Sequence, residues 1–473
     1  MPIIRQDSLD SPARCDVIVV GAGACGMTAA LAARDGGAEV VVLERDAVPS
    51  GTTGMSLGSI AAAGTKSQRD AGIEDTAGSF FDDIMAKTKG QTDPVMARVI
   101  AEMAGPTVDW LTERHGIPLS IDPAWGGVFG HSRPRLHGVP GRNGAELLAS
   151  LLGAAKKAGA TLVTSALVSD VYVNADDRVL GVAIQRPDGS RDVLGCDALV
   201  LATCGFAANP AMRQQFIPHF AQGPIWAPET ADGSGIAWGI EMGAATADMG
   251  AYQGFGALHV ESGIQATYNV VMTGGIQVNA NGERFNNEVA DISAQGDAVL
   301  RQPGSVAWMV FDEKRHQDAL LWPAHRRLNE LGQVYSAPDA AALAVRLGLP
   351  PAALAATVAS VVGMAHGATD PLGRDFTGYA PLKGALYAVK CAGALLHTQG
   401  GLVVDAHAQV CRPDGSTLPN LFAGGGTARS ICGPGVWGYL PASGLCTSVT
   451  LGHLAGRAAA QLASKSNHEP AIA

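Results

Sequence analysis

Three glycines at G-x-G-x-x-G spacing, Gly21, Gly23 and Gly26, follow a run of four apolar residues and open a stretch of helical composition. In such a loop the first glycine makes a tight turn, the second lets a pyrophosphate approach the main chain, and the third lets the helix close on the strand. The helix N-terminus then offers unpaired N–H groups and the positive end of its dipole to phosphates. Glu44, eighteen residues beyond Gly26, is placed to accept hydrogen bonds from ribose hydroxyls. This is dinucleotide chemistry, and it leaves the dinucleotide open.

The elements that must position these residues read as a βαβ unit. Val17 to Val20 is continuously apolar, as a buried parallel strand should be; Ala24 to Arg34 is helical; Ala38 to Leu43 is a second strand. Gly144 to Ala158 reads as a helix. Strands follow near Leu162, over Leu167 to Val173, over Val179 to Ile184 and over Ala198 to Ala202, with a turn at Arg186 to Arg191, a pattern of hairpins inserted in an α/β sheet. The pattern loosens from about Gln253 to Leu396, where a helical stretch spans Asp339 to Ala365, and a second domain is expected there. Gly401 to Gly456 returns to strand, turn and helix signals, with a final helix near Thr447 to Leu462.

The 473 residues, 47% of them hydrophobic, suffice for two cores. A net charge of −10 opposes broad affinity for nucleic acid or an acidic membrane and points to a small-molecule partner. The eight cysteines show no C-x-x-C pair, so neither zinc nor a disulfide framework is expected; nor is haem attachment or an iron–sulfur cluster, and electrons should pass to or from an external partner. Met1 to Asp16 lacks the apolar stretch of a secretory signal, and no run approaches the roughly 18 apolar residues of a membrane span. A cytoplasmic location is the resulting expectation.

Three further blocks narrow the dinucleotide. SGTTGMSLGSIAAAGT (Ser50 to Thr65), DALVLATCGFAANPAM (Asp197 to Met212) and LPNLFAGGGT (Leu418 to Thr427) resemble, in order, those of the succinate dehydrogenase, fumarate reductase and 3-ketosteroid dehydrogenase flavoproteins. The resemblance implies a Rossmann-like α/β FAD-binding domain over 14–253 and 397–473, with an inserted α+β capping domain over 254–396. It implies FAD contacts from Ala24 and Arg45 beside the glycine motif, from Thr52, Thr53, Gly54, Ser56 and Gly58, from Ala202 and Thr203, and from Gly425, Ser443 and Leu445. The first block contains no histidine to link the flavin, so noncovalent FAD is implied. Two positions depart from the family: Cys204 stands where it usually has glycine, and Gly426 where it usually has a cofactor-touching glutamate.

In the fumarate reductases of this family one arginine delivers a proton and another grips a carboxylate. The matched positions here hold Ile292, preceded by Asp291, and Tyr439; Arg284 and Arg429 are the rivals for those roles. Tyr439 followed by Ser443-Gly444 is similar to the ketosteroid dehydrogenase loop, in which a tyrosine hydroxyl and a glycine N–H hold a ketone oxygen. Two neutral donors of that kind stabilise an enolate. The resemblance also places His397 and His259 near substrate, and it makes Tyr268, with Tyr252, Asp291 and His259 as alternatives, the candidate base. The implied reaction is α,β-dehydrogenation of a cyclic or steroid-like ketone with hydride transfer to flavin N5. The alternative is reduction of an activated C=C bond in an unsaturated acid of the fumarate type.

Overall fold

The computed structural model describes residues 2–9, 13–121 and 129–466. The chain forms two units: the first holds Met1–Ile217, Ala227–Tyr252 and His397–Ala473, the second Pro218–Trp226 and Gln253–Leu396. Among the described residues no helix is long and apolar enough to cross a membrane.

The first unit is built on the strand Arg14–Val20. Val17, Ile18 and Val19 are fully buried, so both faces of this strand are covered, as its unbroken apolar run requires. On one side it pairs in parallel with Val40–Leu43, which pairs with Thr161–Val163; on the other it pairs with Arg191–Leu201. That last strand is eleven residues long because it serves two sets of neighbours. Its first half, Arg191 to Gly195, is antiparallel to Val179–Gln185 in the meander that includes Leu167–Val173. Its last residues, Leu199 to Leu201, pair in parallel with Leu421 to Ala423. The polar N-terminal segment supplies the edge strand Ile3–Arg5 beside Leu167–Val173.

Two helices carry the site. Ala24–Asp35 begins directly after the glycine turn, and the C-terminal helix Ser443–Ser466 packs along it through residues without bulk. A Cβ on Gly452 would lie 2.4 Å from the Cys25 carbonyl oxygen, and one on Gly456 would lie 2.1 Å from that of Ala29. Backbone approaches backbone there, so any side chain would push the helices apart. The C-terminal helix starts four residues before the expected Thr447, which puts Ser443, Gly444 and Leu445 in its first turn.

The second unit has its own antiparallel sheet, in which Leu386–Thr398 lies between Tyr252–His259 and Val306–Asp312, with Ile276–Val278 at the edge. Phe255, Val271, Met309, Phe311 and Val389 form part of its core. The expected helix from Asp339 to Ala365 is two helices, Ala340–Leu347 and Pro351–Ala365. Gly348, at φ 71°, ends the first in the left-handed conformation, and proline opens the second.

Candidate active site

The glycine motif forms a cradle. Gly21 sits at φ 104°, where a Cβ would meet the Ala202 carbonyl oxygen at 2.4 Å, and a Cβ on Gly26 would lie 1.8 Å from the Gly21 carbonyl oxygen. The first glycine is therefore required by backbone conformation and the third by packing. Gly23 differs: a Cβ there would meet only Thr53 Oγ1, at 3.4 Å, and the helix it opens has no side-chain cap. Thr53 Oγ1 also accepts from the Ala24 N–H at 3.0 Å, while Glu44 accepts from the N–H groups of Ala22 and Asp46 at 2.8 and 3.0 Å. The acid is thereby fixed at the mouth of the turn.

Around this cradle lies a cleft of about 870 Å³, measured out to its open mouth. Gly21, Gly23, Ala24, Glu44, Arg45, Thr52, Thr53, Ala202, Thr203 and Gly425 line it. Gly26, Gly54, Ser56, Gly58, Ser443 and Leu445 are not in its lining. Ser56 caps the short helix Gly51–Met55 through Oγ to the Thr53 carbonyl at 2.7 Å, and a Cβ on Gly58, at φ 67°, would collide with Asn143 at 2.7 Å. These residues shape the segment that presents Thr52 and Thr53. A helix N-terminus opened by a glycine that supplies no side-chain cap, a fixed acid and an adjoining cleft fit the pyrophosphate and ribose of FAD.

The two departures from the family meet in space. Cys204 is at φ 68°, a left-handed conformation that explains why glycine is usual there. A Cβ on Gly426 would lie 2.6 Å from the Gly205 nitrogen and 3.0 Å from the Cys204 carbonyl carbon, so this backbone leaves no room for a glutamate at 426. Thr427 ties the two segments together: its Oγ1 donates to the Cys204 carbonyl and accepts from the Thr203 N–H, both at 3.0 Å. The sequence reading missed Trp238, Ser234 and Ser448 in the cleft wall, and Asp232, which pairs with Arg45 at 2.8 Å. None of them lies in a motif; only the fold brings them there.

One turn of the C-terminal helix connects the cleft to a second cluster. Ser448 lines the cleft and donates to the Gly444 carbonyl at 2.7 Å, its own position lying about 6 Å along the axis from Gly444. Gly444 faces His397: a Cβ would stand 2.9 Å from Cε1 and 3.2 Å from Nε2. The rings of His397 and Tyr439 meet edge to face, with centroids 5.8 Å apart. Burial, with the neighbouring Cys432 thiol adding to it, pushes the Tyr439 phenol well above its ordinary pKa, against the opposing hydrogen bonds of the Gly444 and Ala442 backbone and the Ser443 side chain. It is a neutral hydroxyl at any working pH. Burial likewise lowers His397 to about 4, so its imidazole is neutral.

The loop that carries Tyr439 is braced from below. Ala442, at φ 65°, is a strained turn before the helix. The carbonyl of the preceding Pro441 accepts from His131 Nε2 at 2.9 Å; His131 is 2% exposed and is held neutral because burial lowers its pKa to about 4. No motif in the sequence marks His131. Arg429 is anchored elsewhere: Nε meets Asp248 at 2.6 Å and Nη1 meets Asp93 at 3.2 Å.

In the second unit, Tyr268 is 5% exposed, packs against Phe255, and donates its hydroxyl to the Glu288 carbonyl at 2.9 Å. Burial, with the Glu288 charge added, drives its pKa upward. His259 is fully buried, with Nδ1 at 2.8 Å from Ser262 Oγ and Nε2 at 3.1 Å from the Glu261 carboxylate. Burial lowers its pKa despite that carboxylate. Arg284 is neutralised by Glu288 at 2.8 Å and Asp370 at 3.0 Å. Asp291 accepts from the N–H groups of Ser293 and Ala294, both at 2.9 Å, at the start of the helix Ala294–Leu300. Ile292 packs on the apolar core, and Tyr252, in the first unit, is 1% exposed.

Comparison with known proteins identifies the family. The FAD binding domain family matches residues 16–446. A probable fumarate reductase of Shewanella frigidimarina (strain NCIMB 400) is 31% identical over 94% of this chain and 74% of its own. The 4-oxocyclohex-2-ene-1-carboxylate 5-dehydrogenase of Sinomonas cyclohexanicum is 25% identical over 95% of this chain and 94% of its own. The open conformation of a flavocytochrome c3 fumarate reductase superposes with a TM-score of 0.82 at 30% identity, covering 96% of this chain and 79% of that one. With the phosphate cradle, the bound acid and the family blocks all in place, the chain belongs to the FAD binding domain family of fumarate reductase-like flavoproteins and is an FAD-dependent oxidoreductase acting on CH–CH groups.

Proposed function

We propose that the enzyme removes hydrogen from the carbons α and β to the carbonyl of a cyclic ketone. The observation that carries this reading is the Tyr439 hydroxyl beside the Gly444 N–H at the start of the C-terminal helix. The Gly444 backbone acts on the Tyr439 phenol as a hydrogen-bonding neighbour, so the two groups are close enough to serve one substrate oxygen. When an α proton leaves, negative charge develops on that oxygen, and two fixed neutral donors at a helix N-terminus stabilise it. FAD supplies the two-electron acceptor for the β hydrogen.

Charge supports the same choice. A site for a dicarboxylate needs free cations, whereas Arg429 is committed to Asp248 and Asp93, and Arg284 to Glu288 and Asp370. Moving Arg284 to serve a substrate would leave the buried Asp370 carboxylate without its partner, and moving Arg429 would break two ion pairs at once. The Sinomonas relative is named for a substrate with a ring ketone and a carboxylate, which suits a site with Tyr439 and Gly444 for one oxygen and His397 for another. Tyr268 is left out of the role of base because its proton is already given to the Glu288 carbonyl and its ionisation is opposed by burial.

The reverse flow, reduction of an activated C=C bond, is the second reading, favoured by the resemblance to fumarate reductases. Anaerobic mixing of the FAD-loaded enzyme with cyclic ketones separates the two. Bleaching of the flavin by a saturated or partly saturated ring ketone supports the first reading. Turnover only when reduced enzyme meets an unsaturated acid such as fumarate supports the second. In both readings an external electron partner completes the cycle, and the flavin is held noncovalently.

A further inference from the structure

We propose that Gln399 is a positioning residue that holds His397 in its Nε2–H tautomer, and that the Cys432 thiol fixes which way the Gln399 amide points. Gln399 Nε2 lies 2.6 Å from His397 Nδ1. An amide nitrogen can only donate, so Nδ1 must be the bare acceptor nitrogen, and the ring proton of a neutral imidazole goes to Nε2. Nε2 is on the edge of the ring that faces Gly444. The cluster then presents three neutral donors, the Tyr439 O–H, the Gly444 N–H and the His397 Nε2–H, and no charge.

The orientation of the amide is itself determined. Cys432 donates its S–H to Gln399 Oε1 at 3.2 Å, and Cys432 is 1% exposed. Reversing the amide would set an N–H against sulfur, a weak acceptor, and would give up the S–H···O bond. Burial pushes the Cys432 thiol up to about 11, so it keeps its proton. The Gln399 main chain is pinned as well, its N–H donating to the Ala251 carbonyl at 2.8 Å and its carbonyl accepting from Ser430 at 2.9 Å. Cys432 in turn touches Ser443 Oγ at 3.5 Å, beside Gly444. The Thr398 carbonyl competes for a proton on this ring, pulling its pKa upward. A proton on Nδ1 would face the Gln399 donor head to head.

This inference rests on reading the cluster as an oxygen-binding site, yet its test needs no substrate. The FAD-loaded full chain is labelled with nitrogen-15 histidine, and the His397 signals are identified by their loss in His397→Gln. The expected result in the wild type at neutral and mildly alkaline pH is a proton on Nε2 alone. Gln399→Glu replaces the donor with an acceptor and should move the proton to Nδ1 or add a second one. Gln399→Leu and Cys432→Ala should each give a mixture of tautomers. A wild-type ring protonated at Nδ1 overturns the proposal, and so does a Gln399→Glu ring that keeps its single proton on Nε2. Either result leaves the role of Tyr439 standing, because that role is read from rates and not from the tautomer.

Discussion

Gly444 offers a bare Cα to the edge of the His397 imidazole, so close that a Cβ would sit 2.9 Å from Cε1. Alanine ordinarily favours a helix over glycine by about 1 kcal/mol. Here the gain in the first turn of the C-terminal helix is set against a displaced imidazole. Gly444→Ala should therefore keep its FAD and a melting temperature near that of the wild type while losing most of its turnover. Unchanged turnover would show that the contact has no part in the reaction.

Two of the motif glycines should fail in different ways. Gly26→Ala drives a methyl group into the Gly21 carbonyl oxygen, 1.8 Å from the ideal Cβ, and should impair folding itself. At position 23 an added Cβ meets only Thr53 Oγ1, at 3.4 Å, so the Gly23→Val chain should fold while the pyrophosphate path is blocked. Circular dichroism and the flavin content after purification check this. A yellow Gly23→Val protein with one FAD per chain would contradict the cradle. Acid treatment of the wild type should release its FAD from the precipitated chain.

Acid should weaken the fold through buried histidines. Burial lowers His131, His137, His325, His397 and His453 from 6.5 to about 4. Between those values the unfolded chain binds protons that the folded chain refuses, so stability rises with pH across the window and falls as pH drops through it. The melting temperature should decline steadily from pH 6.5 toward 4, with proton uptake on unfolding. A flat profile there would show that these rings titrate alike in both states.

The N-terminal unit was legible because its glycines answer to local geometry: a left-handed turn at Gly21 and a helix-to-strand contact at Gly26 leave no other residue type. The break between the helices at Gly348 and Pro350 was also written locally, though the composition of 339–365 hid it. The start of the C-terminal helix was not legible, since Pro441-Ala442-Ser443-Gly444 has turn composition and only the contacts of Gly444 with His397 and of Cys432 with Ser443 decide it. Burial is the other thing the sequence withholds. Tyr268 and Tyr439 are equally plausible as letters, yet one hydroxyl is consumed by a backbone carbonyl and the other stands at a helix N-terminus beside a neutral histidine. Arg429 likewise reads as a free cation until Asp93 and Asp248, far away in the chain, are seen to hold it.

The most direct measurement is the rate at which a ketone that bleaches the wild-type flavin anaerobically reduces Tyr439→Phe, with Arg429→Ala as its control. Loss of one donor to a developing oxyanion costs about 2.7 to 4 kcal/mol, so Tyr439→Phe should be slowed roughly 100- to 1000-fold with its flavin spectrum unchanged. Arg429→Ala should lose stability, because Asp248 and Asp93 lose their partner, while each FAD-loaded molecule turns over within a few-fold of the wild type. If Arg429→Ala is instead inactive and Tyr439→Phe reduces its flavin at the wild-type rate, the ketone account is wrong and an anionic substrate gripped by Arg429 takes its place.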